Sequence, residues 1–408
     1  MISNYFPPHA IGGAENSAYH TCLSLLNEGL NCQVLTINNR SLEHVDEQYE
    51  LDGIQVHRIE FADEKPISPL KQLFDWRIFR HIQATLRKFK PDIVHIHNVS
   101  GTTLSPYLAC RLFRIPVVNT LHDLWLLCPC NLLYQQDGTF CDPRQFPQGC
   151  QRCFKRYDYW GDVPQRRRIL AKVTASVKTF ISPSQALIEK HVWAGYDARR
   201  FQWVPYTASQ MVHTPLMHPA LKEIVETAGD YRTLAFAGGG VEIKGVQVLI
   251  DAIPMLLRFI ENLRIVVVGS GEPRYLDQLK QYEPAVRVLG RIPNKEVQHL
   301  FAAADLTLML STCHENSPMV IYENHQLGTP VVGSNFGGIP ELIDEGETGY
   351  LFAVGDAVQL TEKVLLHFSR SNESHEEMGA ACRAAVQNRL ATHPHLSGVL
   401  QVYERAVQ

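Results

Sequence analysis

Short apolar runs alternate with helix-forming stretches along most of this 408-residue chain. Segments such as 93–97 (IVHIH) and 263–268 (LRIVVV) are too short for helices, and their continuous apolar character is typical of strands buried in a parallel sheet. Helical patterns such as 74–89 and 245–259 separate them. This alternation predicts parallel sheets with helices on both faces.

The alternation occurs in two series, and a polar, proline-containing segment lies between them. We predict an N-terminal domain at 1–205 with a cysteine-rich insert at 128–153, and a C-terminal domain at 206–385. A helix at 386–408 is expected to pack back on the N-terminal domain. The predicted fold class is α/β, with two Rossmann-like domains facing each other across a cleft at the carboxyl ends of their sheets.

Composition narrows the class of protein. Hydrophobic residues make up 45% and charged residues 20% of the chain, as in soluble globular proteins. The net charge of −4 argues against a general nucleic-acid binder. No apolar run approaches the ~20 residues needed to span a bilayer, and no signal-peptide pattern is present, so we expect a cytoplasmic protein. Only Met1 and Ile2 remain of a strand before the first glycine-rich loop, so either this strand is short or the true start lies upstream.

A basic stretch between residues 155 and 178 is most simply a solvated helix face. The alternative is a peripheral contact with anionic lipid headgroups, to which each charge near the surface adds about 1 kcal/mol. That contact would suit a lipid-linked substrate.

The segment 315–323 (ENSPMVIYE) follows an apolar run that we interpret as a buried strand. Asn316 and Ser317 are helix-capping residue types, and Pro318 suits the first turn of a helix. The backbone N–H groups that follow would be unpaired donors at the positive end of this helix. The sequence therefore predicts an anion-binding site here.

Two carboxylates flank this predicted anion site. Glu315 stands before it, and Glu323 lies two turns into the helix. As a glycosidase pair they fit poorly, because eight helical positions span ~12 Å whereas retaining glycosidases need about 5 Å. The alternative of two solvated helix glutamates is weak, since Val320 and Ile321 give the helix a buried character. Separate roles on either side of a phosphate-bearing ligand fit better.

Glycine-rich turns follow several predicted strands. Lys244 comes after Gly238–Gly240, where a cation would pair with the phosphates of a bound ligand, although a solvated surface lysine is the alternative. Gly269–Gly271 suggests a dinucleotide fingerprint, but its third glycine is replaced by Arg274, so that interpretation fails. The Gly12–Gly13 pair would let the backbone approach a ligand closely.

Histidines end two predicted strands of the N-terminal domain. His122 and Asp123 follow one strand, and His97 and Asn98 follow a neighbouring one. A lone histidine is more often structural than catalytic. We nevertheless regard His97 and Asn98 as candidates for contact with a substrate, and Asp123 as a residue that orients its loop.

Five of the ten cysteines cluster in the insert. Cys128, Cys141, Cys150 and Cys153 would supply four thiolates to a structural zinc. Their spacings match no standard zinc module, so the alternative is a set of thiols buried in a loop.

The order and spacing of these motifs resemble glycosyltransferase family 4, which has the GT-B architecture. The matching segments are spread over nearly the whole chain. They are GGAE (12–15), PDIVHIHN (91–98), TLHD (120–123), ISPSQ (181–185), Gly238 to Gly245, GSGE (269–272), LGRIP (289–293), the two glutamates, and GGIPELI with the following TGYL.

The resemblance implies an activity. It predicts a retaining, metal-independent transferase that moves a hexose from a nucleotide diphosphate sugar, first of all UDP-glucose, to a saccharide or lipid-linked saccharide in polysaccharide or glycoconjugate synthesis. The donor would bind the C-terminal domain. The acceptor would bind the N-terminal domain, where His97 and Asn98 are the candidates for contact with it. The absence of any Asp-x-Asp pair agrees with a diphosphate held without a metal cofactor.

The resemblance also assigns roles to residues. Glu315 would stabilise positive charge at the anomeric carbon, His122 would contact the sugar hydroxyls, and Lys244 would neutralise the leaving group. Glu323 would bind the ribose, while Arg291 and Ile292 would lie at the base. The remaining donor-binding residues would be Gly12, Gly13, Gly239, Gly271, Asn316, Ser317, Pro318, Met319 and Val320.

One position departs from the family pattern. An arginine is expected five residues before Lys244, where this chain has Gly239. This change removes a bidentate phosphate clamp, for which Arg291 is a candidate substitute. It also motivates two alternatives, a non-catalytic nucleotide-sugar-binding scaffold subunit and a GT-B-type epimerase.

Overall fold

The computed structural model describes residues 1–9, 12–62, 69–129, 131–134, 140–142, 144, 163–206 and 215–408. They belong to two compact units, which we treat separately. The first unit combines residues 1–207 with 393–408, and the second spans 208–392.

The described part of the first unit contains one parallel sheet with an antiparallel edge. Its strands are β1 (Ile2–Ser3), β2 (Gln33–Ser41), β3 (Val45–Leu51), β4 (Ile54–Ala62), β5 (Val94–Ile96), β6 (Val117–Thr120), β7 (Val177–Ser182) and β8 (Phe201–Trp203). The sheet order is β3-β4-β2-β1-β5-β6-β7-β8. Among the strands that the structure describes here, only β3 pairs antiparallel, with β4. Strands β2 to β4 lie on one side of β1 in the sheet, and β5 to β8 lie on the other side. The loops after β1 and β5 therefore meet at a topological switch point.

Helices cover both faces of this sheet. They are α1 (Gly13–Asn27), α2 (Pro69–Leu73), α3 (Trp76–Phe89), α4 (Ser105–Phe113), α5 (Val163–Thr174) and α6 (Gln185–Trp193). Ile78 of α3 is buried in one core with Ile37 and Ile96 of the sheet. Ala18 of α1 is buried in a separate core with Val34. The predicted arrangement of a largely parallel sheet between helices is therefore confirmed.

The described part of the second unit contains a fully parallel sheet with the Rossmann-like reversal of strand order. Its strands are β9 (Arg232–Phe236), β10 (Leu263–Val268), β11 (Val286–Gly290), β12 (Leu306–Met309), β13 (Val331–Ser334) and β14 (Gly349–Phe352). The order is β11-β10-β9-β12-β13-β14. The switch point lies between β9 and β12. The loops after these two strands carry Lys244 and Glu315, so the topology alone places them at one end of the sheet.

The helices of the second unit connect these strands. They are α7 (Pro219–Glu226), α8 (Val246–Phe259), α9 (Pro273–Lys280), α10 (Asn294–Ala303), α11 (Met319–Leu327), α12 (Ala357–Phe368) and α13 (Asn372–Thr392). Gly328 ends α11 in a left-handed conformation, with a φ of 84°.

The last helix, α14 (His395–Val407), returns to the first unit. The prediction of a single helix over 386–408 is wrong in extent, because residues 386–392 form the end of α13 in the second unit. Val399, Val402 and Ala406 of α14 are buried in a core cluster with Val118 and Ile181 of the first sheet.

Two further elements are not indicated by the sequence pattern. The edge strand β3 has the sequence VDEQYEL, which lacks a clean apolar alternation because most of its side chains face solvent. The helix α7 lies in the polar, proline-containing segment between the two series of strands and helices. Pro219 occupies its first turn, and Leu221 and Ile224 are buried. This amphipathic helix is short and follows polar residues, so the apolar pattern alone does not indicate it.

Two glycine-rich turns of the second unit pack backbone against backbone. Gly239 has a φ of 54°, and a β-carbon there would lie 2.3 Å from the carbonyl oxygen of Ser270. A β-carbon on Gly271 would lie 2.2 Å from the backbone of Gly240. The N–H of Gly239 also donates to the carbonyl of Val268 at 3.0 Å. A side chain at residue 239 would therefore separate the two turns.

We expect Gly239→Ala to lower the free energy of unfolding by about 2–4 kcal/mol, from left-handed backbone strain plus overpacking. Gly355→Ala is the matched control, because Gly355 has a φ of 82° with open space around it and carries the strain alone, about 1–2 kcal/mol. Urea titration followed by circular dichroism measures both. Equal losses in the two variants would contradict the close approach of the turns.

Candidate active site

The loop after β12 is tied to the turn that carries Lys244. Gly245 has a φ of 83°, and a β-carbon there would lie 1.9 Å from the carbonyl oxygen of Leu310. The N–H of Thr312 donates to the carbonyl of Ile243 at 3.0 Å. These backbone contacts on both sides of Lys244 fix its position relative to the following loop.

Lys244 and Glu315 form an ion pair. The Nζ atom of Lys244 lies 2.6 Å from Oε1 of Glu315, which also accepts from the Ser311 hydroxyl at 2.7 Å. The lysine side chain is 40% exposed and the glutamate 16%. Burial lowers the pKa of Lys244, but the Glu315 carboxylate outweighs this effect, so the pKa lies above its ordinary value. The lysine is therefore a charged group with one face open to solvent.

Glu315 lies in the loop before α11 rather than on a helix. Its carbonyl accepts from the N–H of Gly338 at 2.8 Å, and Gly337, with a φ of 62°, allows the close approach. The prediction that Glu315 and Glu323 are spaced along one helix is thus wrong, because the helix begins at Met319. The two carboxylates belong to different elements, and their separate roles stay a prediction.

The predicted capping of α11 is also wrong. The N-cap residue is Pro318, without a side-chain cap. The hydroxyl of Ser317 instead lies 3.0 Å from that of Tyr322. The first N–H groups of the helix, including those of Met319 and Val320, precede the intrahelical hydrogen bonds. The anion-binding character expected of this helix end therefore rests on backbone donors.

Glu323 is half-buried on α11. Burial raises the pKa of its carboxyl to about 7. The carboxyl group of Glu323 has no hydrogen-bond partner among the described residues. A hydroxyl-bearing ligand would supply the donors that the protein does not.

Arg291 and Ile292 follow β11. Ile292 is buried in the core. Arg291 is exposed, and its guanidinium donates to the Ser270 hydroxyl at 3.2 Å. Since Ser270 contacts the turn at Gly239, Arg291 lies next to the position where the family pattern has an arginine. Its role as a substitute cation stays a prediction.

In the first unit, Gly12 is the N-cap residue of α1 and Gly13 its first residue. The backbone N–H groups of Gly12 and of Glu15 itself lie close enough to the Glu15 carboxylate to lower its pKa in part. Burial nevertheless raises the pKa of Glu15 above its ordinary value. The glutamate of the GGAE motif therefore lies beside the glycine pair, in the first turn of α1.

His122 belongs to a stack of aromatic rings at the carboxyl ends of β5 and β6. Its Nε2 atom lies 3.0 Å from Nδ1 of His97, and its Nδ1 atom lies 2.5 Å from the hydroxyl of Tyr206. Burial lowers the pKa of His122 to about 3, so the ring is neutral at pH 7. Asp123 accepts from the N–H of Trp125 at 3.0 Å, which fits its expected role in the loop.

The two acceptor candidates differ in surroundings. His97 is only 2% exposed and lies within the ring stack. Asn98 is partly exposed, and its side-chain oxygen accepts from the N–H of Ser100 at 3.2 Å. Contact with an acceptor stays a prediction for both residues.

Sequence reasoning missed Ser311 and Tyr206. Ser311 directly follows the apolar run of β12, so its position at a strand end was a usable signal. Tyr206 reaches His122 across 84 residues of sequence, and nothing in its local pattern indicates that contact.

The expected zinc ligands are only partly described. Cys150 and Cys153 lie outside the described residues. Cys128 is buried in the first core, and Cys141 is packed against it. No group of three or more potential ligands occurs among the described residues, so the zinc site stays a prediction. No helix in the described part of the chain has the length and apolar character required to cross a membrane.

Two family models match the chain. "Glycosyltransferase Family 4" matches residues 11–206, and "Glycosyl transferases group 1" matches residues 231–369. The chain is 30% identical over 321 residues to N-acetyl-alpha-D-glucosaminyl L-malate synthase of Bacillus anthracis, covering 76% of this chain and 74% of that protein. It is 23% identical over 404 residues to a GDP-mannose-dependent alpha-mannosyltransferase of Corynebacterium glutamicum, covering 95% and 84%.

Solved structures show the same fold. Anabaena HepE in complex with UDP-glucose aligns with a TM-score of 0.69 at 19% identity, over 99% of this chain and 98% of that one. WaaG, a glycosyltransferase involved in lipopolysaccharide biosynthesis, aligns with a TM-score of 0.66 at 18% identity, over the same shares. The fold is GT-B, and the protein belongs to glycosyltransferase family 4. It is a glycosyltransferase.

The raised pKa of Glu323 predicts a pH-dependent stability. The folded state holds this proton up to about pH 7, whereas the unfolded chain releases it near pH 4.3, so the group destabilises the fold increasingly as pH rises between these values. Glu323→Gln should therefore raise the unfolding midpoint more at pH 8 than at pH 5. Glu362→Gln, at an exposed position of α12, is the control and should show no such difference. Equal effects of Glu323→Gln at both pH values would contradict a buried, protonated carboxyl.

Proposed function

We propose that this glycosyltransferase transfers a hexose, with glucose from UDP-glucose as the first candidate, to a hydroxyl of a saccharide or lipid-linked saccharide, in polysaccharide or glycoconjugate synthesis. The observation that supports this proposal most directly is the ion pair at the switch point of the second unit, where Nζ of Lys244 lies 2.6 Å from Oε1 of Glu315. It provides a cation and a carboxylate beside a helix N-terminus. Anabaena HepE, which shares the fold, binds UDP-glucose, and this supports the choice of donor.

The diphosphate of the donor would be held by charge without a metal. Lys244 and the N–H groups at the start of α11 would face the phosphates. Arg291, beside the Ser270 turn, would add a second cation. The lack of an Asp-x-Asp pair in the sequence supports this arrangement.

The two glutamates would act at opposite ends of the donor. Glu323 would accept hydrogen bonds from the ribose hydroxyls, and its ionised form would accept them most strongly. Glu315, released from part of its pairing when phosphate engages Lys244, would stabilise positive charge at the anomeric carbon. The bond from this carbon to the phosphate oxygen breaks, and the bond to the acceptor oxygen forms on the same face. The acceptor proton passes to the departing phosphate. The configuration is retained because the new bond forms on the face from which the phosphate leaves.

A panel of nucleotide sugars, scored for transfer and for donor hydrolysis, tests the proposal directly. Calorimetry with UDP and GDP identifies the base. Turnover of at least one nucleotide hexose is expected. Nucleotide binding without turnover of any donor would favour a non-catalytic scaffold subunit instead.

Two variants separate binding from turnover. Glu323→Ala should weaken UDP binding about tenfold or more, because it removes hydrogen bonds to a charged group. Lys244→Ala should chiefly lower kcat, about 100-fold, because its charge is needed most when the diphosphate departs. Lys280→Ala and Glu362→Ala, at exposed positions of α9 and α12, are the matched controls. Wild-type affinity and turnover in both site variants would overturn the assignment.

A further inference from the structure

The hydrogen bonds of the His122 ring use both of its nitrogens. His97 lies 3.0 Å from Nε2 and Tyr206 lies 2.5 Å from Nδ1. The His97 and Tyr206 rings are nearly parallel to that of His122, with interplanar angles of 23° and 15° and centroids 5.2 and 5.7 Å away. The plane and the hydrogen bonds of His122 are therefore both set by these two neighbours.

The donor and acceptor roles of Tyr206, His122 and His97 depend on whether the buried Nε2 atom of His97 carries a hydrogen. Burial lowers the pKa of both histidines well below the neutral range, so each ring carries one proton. Either Tyr206 donates to His122 and His122 to His97, or every bond runs the opposite way. In the first case the Nε2 atom of His97 bears a hydrogen, and in the second it is a bare acceptor.

The Nε2 atom of His97 is buried and has no hydrogen-bond partner among the described residues. A buried N–H without an acceptor is rarer in proteins than an acceptor without a donor. His191 provides a precedent in the same unit. Its Nδ1 must donate to the carbonyl of Leu187 at 2.8 Å, while its buried Nε2 atom likewise has no partner in the described part of the chain. The second direction is therefore favoured.

We propose that His97 and Tyr206 are positioning residues that hold His122 as the Nδ1–H tautomer with a fixed ring plane. His97 donates from Nδ1 to Nε2 of His122, and His122 donates from Nδ1 to the Tyr206 hydroxyl. The inference rests on the proposed function for its catalytic consequence, because that function gives His122 the hydroxyls of the transferred sugar. The tautomer itself follows from the geometry of the ligand-free protein.

The tautomer is measured by long-range ¹H–¹⁵N correlation on the full chain with labelled histidine, without any donor. The His122 signals are assigned by their loss in His122→Gln. Nδ1 of His122 should be protonated and Nε2 unprotonated, and His191 should show the same pattern as an internal reference. A His122 ring protonated at Nε2 would overturn the proposal.

Variants of the two neighbours test the cause. His97→Asn places an amide N–H near the position of Nδ1 and should preserve the His122 tautomer, whereas His97→Leu and Tyr206→Phe should give a mixture. The His191 signals should be unchanged in all three. Unaltered His122 signals in both His97→Leu and Tyr206→Phe would overturn the proposal. If one of these two variants does not fold, the other and the wild-type spectrum decide.

Kinetics then test the consequence for transfer. Tyr206→Phe should lower kcat about tenfold, with KM within about twofold of wild type, because a misoriented ring affects the transition state more than donor binding. An unchanged kcat alongside a mixed tautomer would overturn the positioning role. If no nucleotide hexose is turned over by the wild-type protein, the proposed function fails while the spectroscopic result stands independently.

Discussion

The contact between Gly245 and the carbonyl of Leu310 sets the geometry of the second unit's site. A left-handed backbone without a β-carbon lets the turn after β9 lie directly against the loop after β12. Lys244 is adjacent to this contact, and Glu315 follows it by five residues. Their ion pair therefore results from two backbone segments that meet at the switch point. The backbone itself brings the two residues close together.

A second backbone contact explains why Gly239 is compatible with the fold although it departs from the family pattern. The turn at Gly239 is pressed against the Ser270 carbonyl, so the space near the α-carbon is filled by main chain. In the proposed function, Lys244, the first turn of α11 and Arg291 together replace the missing guanidinium. The charge of the donor would then be met mainly by groups whose positions the backbone fixes.

The sequence was a good guide to the sheets and a poorer guide to contacts between distant residues. Continuous apolar runs such as β10 and β12 have few alternatives to buried strands, and the order of motifs placed Glu315, Lys244 and His122 at strand ends. The polar edge strand β3 and the short helix α7 were not predicted, because their solvent-facing side chains obscure the apolar periodicity. The Tyr206–His122 bond and the loop position of Glu315 depend on tertiary packing, which local patterns do not contain.

The return of α14 to the first unit has a consequence for biosynthesis. Val118 and Ile181 share a core cluster with Val399, Val402 and Ala406, which leave the ribosome more than 200 residues later. Until then this apolar patch lacks its cover, and the whole second unit is synthesised in the interval. The second unit can complete its own sheet during translation, whereas the first must wait for the last helix before its final layer closes.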